Sequence, residues 1–242
     1  MRPTRRDRKK ANACISSGMR QFDGSQWLDA ADLAALAGGN VTTWTARQGV
    51  SPTQGSAAKR PTMNGSTGCV VFDGVDDCLV GDCGVGGSPT ATCIVFAEKI
   101  TSGAGAVILE HTTQHYDRNG LMMAQLNASN ANWQSIGSTT LSTYRNSEQS
   151  APRGVNGGAM NRTPNPDTIL SIYNGGIDDG AYGRQVDSTG NFAASSSYIG
   201  SRNNGASLRF NKGIACILVF LDLLTYEQMC AIAAKYRKAW RF

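Results

Sequence analysis

Short runs rich in β-branched and aromatic residues recur along this chain, and each is too brief to be anything but a strand. They lie at 41–45, 69–72, 90–97, 104–110, 121–126, 168–173, 196–199 and 215–220. Runs of this length bounded by Gly, Asn and Asp clusters are strand signals. The clusters Asn156-Gly157-Gly158, Asn174-Gly175-Gly176 and Asn203-Asn204-Gly205 read as turns between them. With 28 glycines in 242 residues, the chain exceeds the usual share of about 7%, as a turn-rich β protein should. The fold class expected is therefore all-β, a sandwich of two antiparallel sheets.

Two stretches change period. Asp29 can cap a short helix that holds Leu33 and Leu36 and stops at Gly38-Gly39. Near the end, Thr225 and Gln228 have the spacing of a capping box, and Tyr226, Met229, Ile232, Ala233, Tyr236 and Trp240 then share one helical face. This predicts an amphipathic C-terminal helix packed on a sheet, with Trp240 at least partly buried.

The net charge of +5 sits at the two ends. Residues 1–10 hold six bases and one acid, and residues 235–242 hold four bases and no acid. Between them, residues 11–234 carry 13 bases and 17 acids. A nucleic-acid-binding domain is expected to have a basic body, so specific nucleic-acid binding is not expected here. No apolar stretch follows the basic start, so no signal peptide is expected. The longest apolar run, 214–221, falls short of the roughly 20 residues that span a bilayer. The seven cysteines (14, 69, 78, 83, 93, 216 and 230) lack zinc-ligand spacing. Cys69, Cys93 and Cys216 lie on predicted core strands, so free buried thiols are expected.

Several constellations invite a chemical reading. The four glutamates, Glu98, Glu110, Glu148 and Glu227, have no acidic neighbour within four residues on a predicted strand. The paired carboxylates of a retaining glycosidase are therefore not legible, and no enzyme is expected. His111 and His115 are four apart but lack the glutamate of a zinc-protease helix, so they read as surface or loop histidines without a metal. Asp73, Asp76 and Asp77 are the densest carboxylate group. They read either as Ca²⁺ ligands or as a strand-ending turn whose side chains accept backbone N–H bonds. Tyr116, Trp133, Tyr144 and Tyr182 lie in Asn/Ser/Gly-rich segments, where they read as stacking platforms for a sugar or as ordinary packing aromatics. No cofactor is expected.

The order of several motifs resembles the concanavalin A-like, laminin-G-like jelly-roll domains. Gln26-Trp-Leu-Asp-Ala-Ala-Asp-Leu33, Val41-Thr-Thr-Trp44, Lys59-Arg-Pro-Thr62 and Val71-Phe-Asp-Gly-Val-Asp-Asp77 come first, then Tyr198-Ile-Gly-Ser201, then 214–220 and a helix ending in Trp240. The resemblance covers residues 21–242 and leaves residues 1–20 as a basic N-terminal arm. It implies a concanavalin A-like jelly-roll sandwich with a short N-terminal helix and a C-terminal helix. Such domains occur in bacteriophage virions, in adhesins and in glycan-binding proteins. The function expected is a bacteriophage structural protein, a head decoration or tail appendage subunit made in the host cytoplasm. The alternative is a glycan-binding receptor-recognition or adhesion module. Expected partners are other virion proteins, further copies of this chain and possible surface glycans, with no membrane.

The arm carries the virion expectation. Arg2, Arg5, Arg6, Arg8, Lys9 and Lys10 place six cations in ten residues, which repel one another and keep a free chain extended. Ordering such a segment costs roughly 1–2 kcal/mol per residue, so a docked arm needs a partner surface that compensates. Deleting residues 1–13 should leave the sandwich folded while weakening incorporation into a particle, as followed by co-sedimentation at physiological salt. Equal incorporation of the truncated chain would remove the anchoring role.

Overall fold

The computed structural model describes residues 26–98, 100, 105–111, 120–125, 130–136, 141–148, 153–161, 169–173 and 190–240. Among these lie β1 (Gln26–Asp29), β2 (Ala46–Gln48), β3 (Thr62–Asn64), β4 (Cys69–Val71), β5 (Leu79–Gly81), β6 (Thr90–Glu98) and β7 (Ala106–His111). There follow β8 (Gly120–Gln125), β9 (Asn130–Ile136), β10 (Leu141–Glu148), β11 (Arg153–Asn161), β12 (Ile169–Tyr173), β13 (Ser197–Ile199), β14 (Gly213–Phe220) and the helix α1 (Tyr226–Trp240). A 3₁₀ helix, Ala30–Leu36, follows β1 directly.

The strands form two antiparallel sheets. Sheet A runs β12-β11-β6-β14-β1-β2, with β4 also on β14 and β3 on β4. Sheet B runs β10-β9-β8-β7-β13-β5. The protein is an all-β jelly-roll sandwich with two flanking helical segments, as the sequence predicts.

Alternation along β6 and β14 builds three layers. Ala91, Cys93, Val95 and Ala97 of β6, with Ile217 and Val219 of β14, fill the core between the sheets beside Leu79, Leu109, Phe192 and Ile199. The intervening Ile94, Phe96, Leu218 and Phe220 face the other way, onto Met229, Ile232, Ala233 and Tyr236 of α1. Both faces of these strands are buried, which is why they read as unbroken apolar runs. The capping box forms: the Thr225 N–H donates to Gln228 Oε1 at 2.8 Å, and the Gln228 N–H donates to Thr225 Oγ1 at 3.3 Å.

Three expectations need correction. Asn156-Gly157-Gly158 is not a turn but the middle of β11, opposite Val95, Ile94 and Cys93 of β6. Gly157 and Gly158 are buried there, and a strand glycine often marks close approach of another element. Residues 41–45 form no strand. Val41 and Trp44 are fully buried, but their N–H groups donate to Pro61 and Pro52 carbonyls in an irregular segment. Leu36 stands exposed at the end of the 3₁₀ helix instead of sharing the buried face of Leu33.

Asp29 caps that helix, its Oδ1 accepting the Ala31 N–H at 2.9 Å. Of the described cysteines, Cys69, Cys78, Cys83, Cys93 and Cys216 are free and buried, and Cys230 is free and half-buried. The Trp240 side chain lies outside the described residues. Replacing Phe96 by Ala should lower the unfolding free energy by about 3–5 kcal/mol, because it opens a cavity under α1. Leu36→Ala, at an exposed position, should change it by less than about 0.5 kcal/mol in the same denaturant titration.

Candidate functional site

The outer face of sheet B carries a buried ion pair. Leu109 and His111 of β7 point inward, so Glu110 between them lies on the opposite face. Arg202 Nε donates to Glu110 Oε1 at 2.9 Å, with both side chains 1% exposed. The second oxygen, Oε2, accepts the Asn203 N–H at 3.1 Å. Burial pushes the Glu110 carboxyl up, while the Arg202 charge and the Asn203 N–H favour its ionised form.

This pair holds down an unusual loop. Asn203, Asn204 and Gly205 have φ values of +47°, +56° and +88° in succession. The left-handed region is disfavoured for L-residues and tolerated best by Gly and Asn. Gly205 has no alternative, since a Cβ there would lie 2.7 Å from the Asp76 carbonyl oxygen. Further bonds complete the fixation: the Gly205 N–H donates to Ser201 Oγ at 2.8 Å, and the Lys59 ammonium to the Asn204 carbonyl at 3.0 Å. Gln54 Nε2 reaches the Cys78 carbonyl at 2.7 Å and Asn204 Oδ1 at 3.4 Å. Asn203 and Asn204 remain exposed.

Beside this loop stands an aromatic ring. Ser197 and Ile199 of β13 are buried inward, and Tyr198 between them is partly exposed on the outer face. Register makes Tyr198 the direct neighbour of Glu110 on β7 and of Val80 on β5.

The turn at Asp73–Asp77 abuts the same loop through the Asp76–Gly205 contact. Ligand oxygens of Asp73, Asp76 and Asp77 lie within 4.8 Å of one another. Asp73 Oδ1 accepts the N–H groups of Val75, Asp76 and Asp77 at 2.7, 3.3 and 3.4 Å, and Asp77 Oδ2 accepts the Asp73 N–H at 2.9 Å. Two of the three carboxylates therefore brace the turn, and the geometry accounts for the cluster without an ion. Burial pushes the Asp77 carboxyl up to about 6, with the charges of Asp73 and Asp76 adding to the shift against the Asp73 N–H.

His111 is fully buried, which corrects its reading as a surface or loop residue. Its Nε2 faces the Ala193 carbonyl at 2.9 Å and so carries the proton. Nδ1 then accepts from the Ser197 hydroxyl at 2.9 Å, whose oxygen accepts the Cys83 N–H at 2.9 Å. Burial lowers the His111 pKa, so the ring works as a neutral brace between β7 and the 193–197 segment.

Two of the other candidates are brought together on sheet B. Trp133 and Tyr144 are register partners on β9 and β10, in the cross-sheet row that continues through Met123, Leu109, Ile199 and Leu79. That row differs from the one holding Glu110 and Tyr198, which continues through Met122, Gln134 and Thr143. Tyr116, Tyr182, His115 and the arm residues Arg2, Arg5, Arg6, Arg8, Lys9 and Lys10 lie outside the described residues. Tyr198 and the Glu110–Arg202 pair were missed by the sequence reading. The available signal was the Asn203-Asn204-Gly205 cluster, five residues beyond Tyr198.

No known family model matches the sequence, and no curated protein matches it. Similarity appears among solved structures. A Trypanosoma rangeli sialidase in complex with a 2,3-difluoro-KDN compound superposes with a TM-score of 0.61 at 11% identity, over 96% of this chain and 38% of the sialidase. The covalent intermediate of the T. rangeli sialidase gives 0.57 at 12% identity, over 87% and 32%. The CBM40 of a Ruminococcus gnavus IT-sialidase, solved with α2,3 sialyllactose, gives 0.49 at 12% identity, over 68% and 92%. The chain thus spans about a third of the length of the sialidases whose fold it shares.

The raised Asp77 pKa has a definite sign. Between about pH 4 and 6 the folded state holds this proton more tightly than the unfolded state, so stability falls as pH rises through that window. Asp77→Asn, which keeps an acceptor for the Asp73 N–H, should flatten that fall in melting curves taken from pH 4 to 7.

Proposed function

We propose that this chain is a non-catalytic glycan-binding module whose binding surface is the outer face of sheet B at the 202–209 loop. The observation that carries the reading is that the partly exposed Tyr198 is the register neighbour of Glu110, whose carboxylate holds a loop with two exposed asparagines in left-handed conformations. A pyranose offers an apolar C–H face and a rim of hydroxyls. An aromatic ring matches the first, and amides, which both donate and accept, match the second. Strained, exposed polar residues on a rigid support are a frequent mark of binding sites. Glu110 is committed to Arg202 and the Asn203 N–H, so it is not a free acid or nucleophile. That favours binding over hydrolysis.

A second reading, a bacteriophage particle subunit, is favoured by the six cations within residues 1–10. The two are compatible, since an arm could anchor a subunit whose sandwich meets a host glycan.

Glycan-array binding and titration calorimetry test the main reading. Tyr198→Ala should weaken binding by about 2 kcal/mol or more, as truncating an aromatic hot spot does. Asn203→Gly keeps the left-handed backbone available and removes only the amide, so it should weaken binding with little loss of thermal stability. Wild-type protein that binds no glycan on the array, or variants that bind as well as wild type, would overturn the assignment.

A further inference from the structure

Three cations at the rim of this surface have no carboxylate partner among the described residues. Lys59 donates to the Asn204 carbonyl at 3.0 Å. Arg209 clamps two successive carbonyls of the same loop, with Nε on Gly205 at 3.0 Å and Nη2 on Ala206 at 3.3 Å. Arg60 repeats the device on the facing loop, with Nε on Gln54 at 3.0 Å and Nη2 on Gly55 at 2.8 Å. The ion pairs seen among the described residues belong to Arg47 and Arg202 instead. Lys59 and Arg60 are half-exposed and Arg209 is exposed.

Their anchoring makes these charges more than a solvated face. Carbonyl oxygens hold each head group in place without neutralising it, and Lys59 and Arg209 sit on the consecutive carbonyls of Asn204 and Gly205. Each arginine keeps Nη1 free of these clamps. Of the neighbouring acidic turn, Asp73 and Asp77 are engaged with backbone N–H groups, and Asp76 meets the loop through its carbonyl. Fixed cationic donors beside a polar surface match an anionic substituent, because a charge-assisted hydrogen bond is about twice as strong as a neutral one.

We infer that the module selects acidic glycans, with Lys59 and Arg209 as the specificity-determining residues that receive a carboxylate or sulfate of the sugar. This rests on the glycan-binding reading and deepens it. The shared chemistry is a compact anion on a saccharide, and matched probes separate its sources. An array of carboxylated, sulfated and neutral forms of the same oligosaccharides should show binding to one or both acidic forms at least about ten-fold tighter than to the neutral form. Lys59→Met and Arg209→Gln should each weaken acidic binding far more than neutral binding, so that the ratio of the two falls toward one. Because both side chains also hold loop carbonyls, a loss shared by acidic and neutral forms reports the loop, and the change in ratio is what tests the inference. Rising salt should weaken the acidic complexes and spare the neutral ones. If neutral and acidic forms bind equally, or the preference survives in both variants, the inference fails and the glycan-binding reading stands. If no form binds, both fail.

Discussion

Burial on both faces of β6 and β14 is the constraint from which the rest of the molecule follows. One side of these strands packs against sheet B through residues such as Val95 and Ile217, and the other packs under α1 through Ile94, Phe96 and Leu218. A helix can lie there only because its own face, Met229, Ile232, Ala233 and Tyr236, is apolar at the matching spacing. Among the described residues, sheet A is thereby covered by α1 at its centre, over β6 and β14. Sheet B is different. Its inner face joins the core, and at Glu110 the described cover of its outer face is the polar loop that follows β13.

That loop depends on a buried ion pair whose energetics are unusual. Removing two charges from water costs several kcal/mol each, and their attraction repays this only with good geometry and satisfied hydrogen bonds. Glu110 meets the condition by accepting from both Arg202 Nε and the Asn203 N–H. An apolar pair of similar volume could fill the space as stably, but it would not aim the Asn203 backbone. Two left-handed non-glycine residues in succession cost roughly 1–2 kcal/mol each. The Glu110, Ser201 and Lys59 contacts around them offset that strain and leave one conformation.

A second polar cluster shows the contrast with a structural role. Arg47 bonds Asp29 Oδ2 at 2.6 Å and grips Asp32 with Nε and Nη2 at 2.6 and 2.7 Å, over the Trp27 ring at 4.8 Å. Burial lifts the Asp29 carboxyl to about 6, against the Ala31 N–H and the Arg47 charge, which favour its ionised form. Here the cation has carboxylates on two sides, and the cluster pins the edge strand β2 to the 3₁₀ helix. The layered architecture, the caps and the buried thiols were legible in the sequence because they rest on local period and composition. The strand at Gly157-Gly158 was not, because Asn-Gly-Gly reads locally as a turn and only its pairing with β6 and β12 makes it a strand. Nor was the site. Glu110 and Arg202 are 92 residues apart, and only the register of β7 beside β13 brings them together.

The placement of strain also bears on how such a surface would work. Loops that order themselves on binding lose affinity to that ordering, by roughly 0.5–1.5 kcal/mol for each immobilised side chain. In this protein the ordering is completed during folding. Tyr198 is fixed by its place between two inward residues of β13, the asparagines by the ion pair beneath them, and the arginines by their own loop carbonyls. A shallow polar surface gains little from apolar burial, so its affinity depends on keeping these costs low. Rigid support by β7 and β13, themselves held by the His111–Ser197 bond across the inner face, is what would let such a surface of amides and one aromatic ring discriminate among the hydroxylated ligands proposed for it.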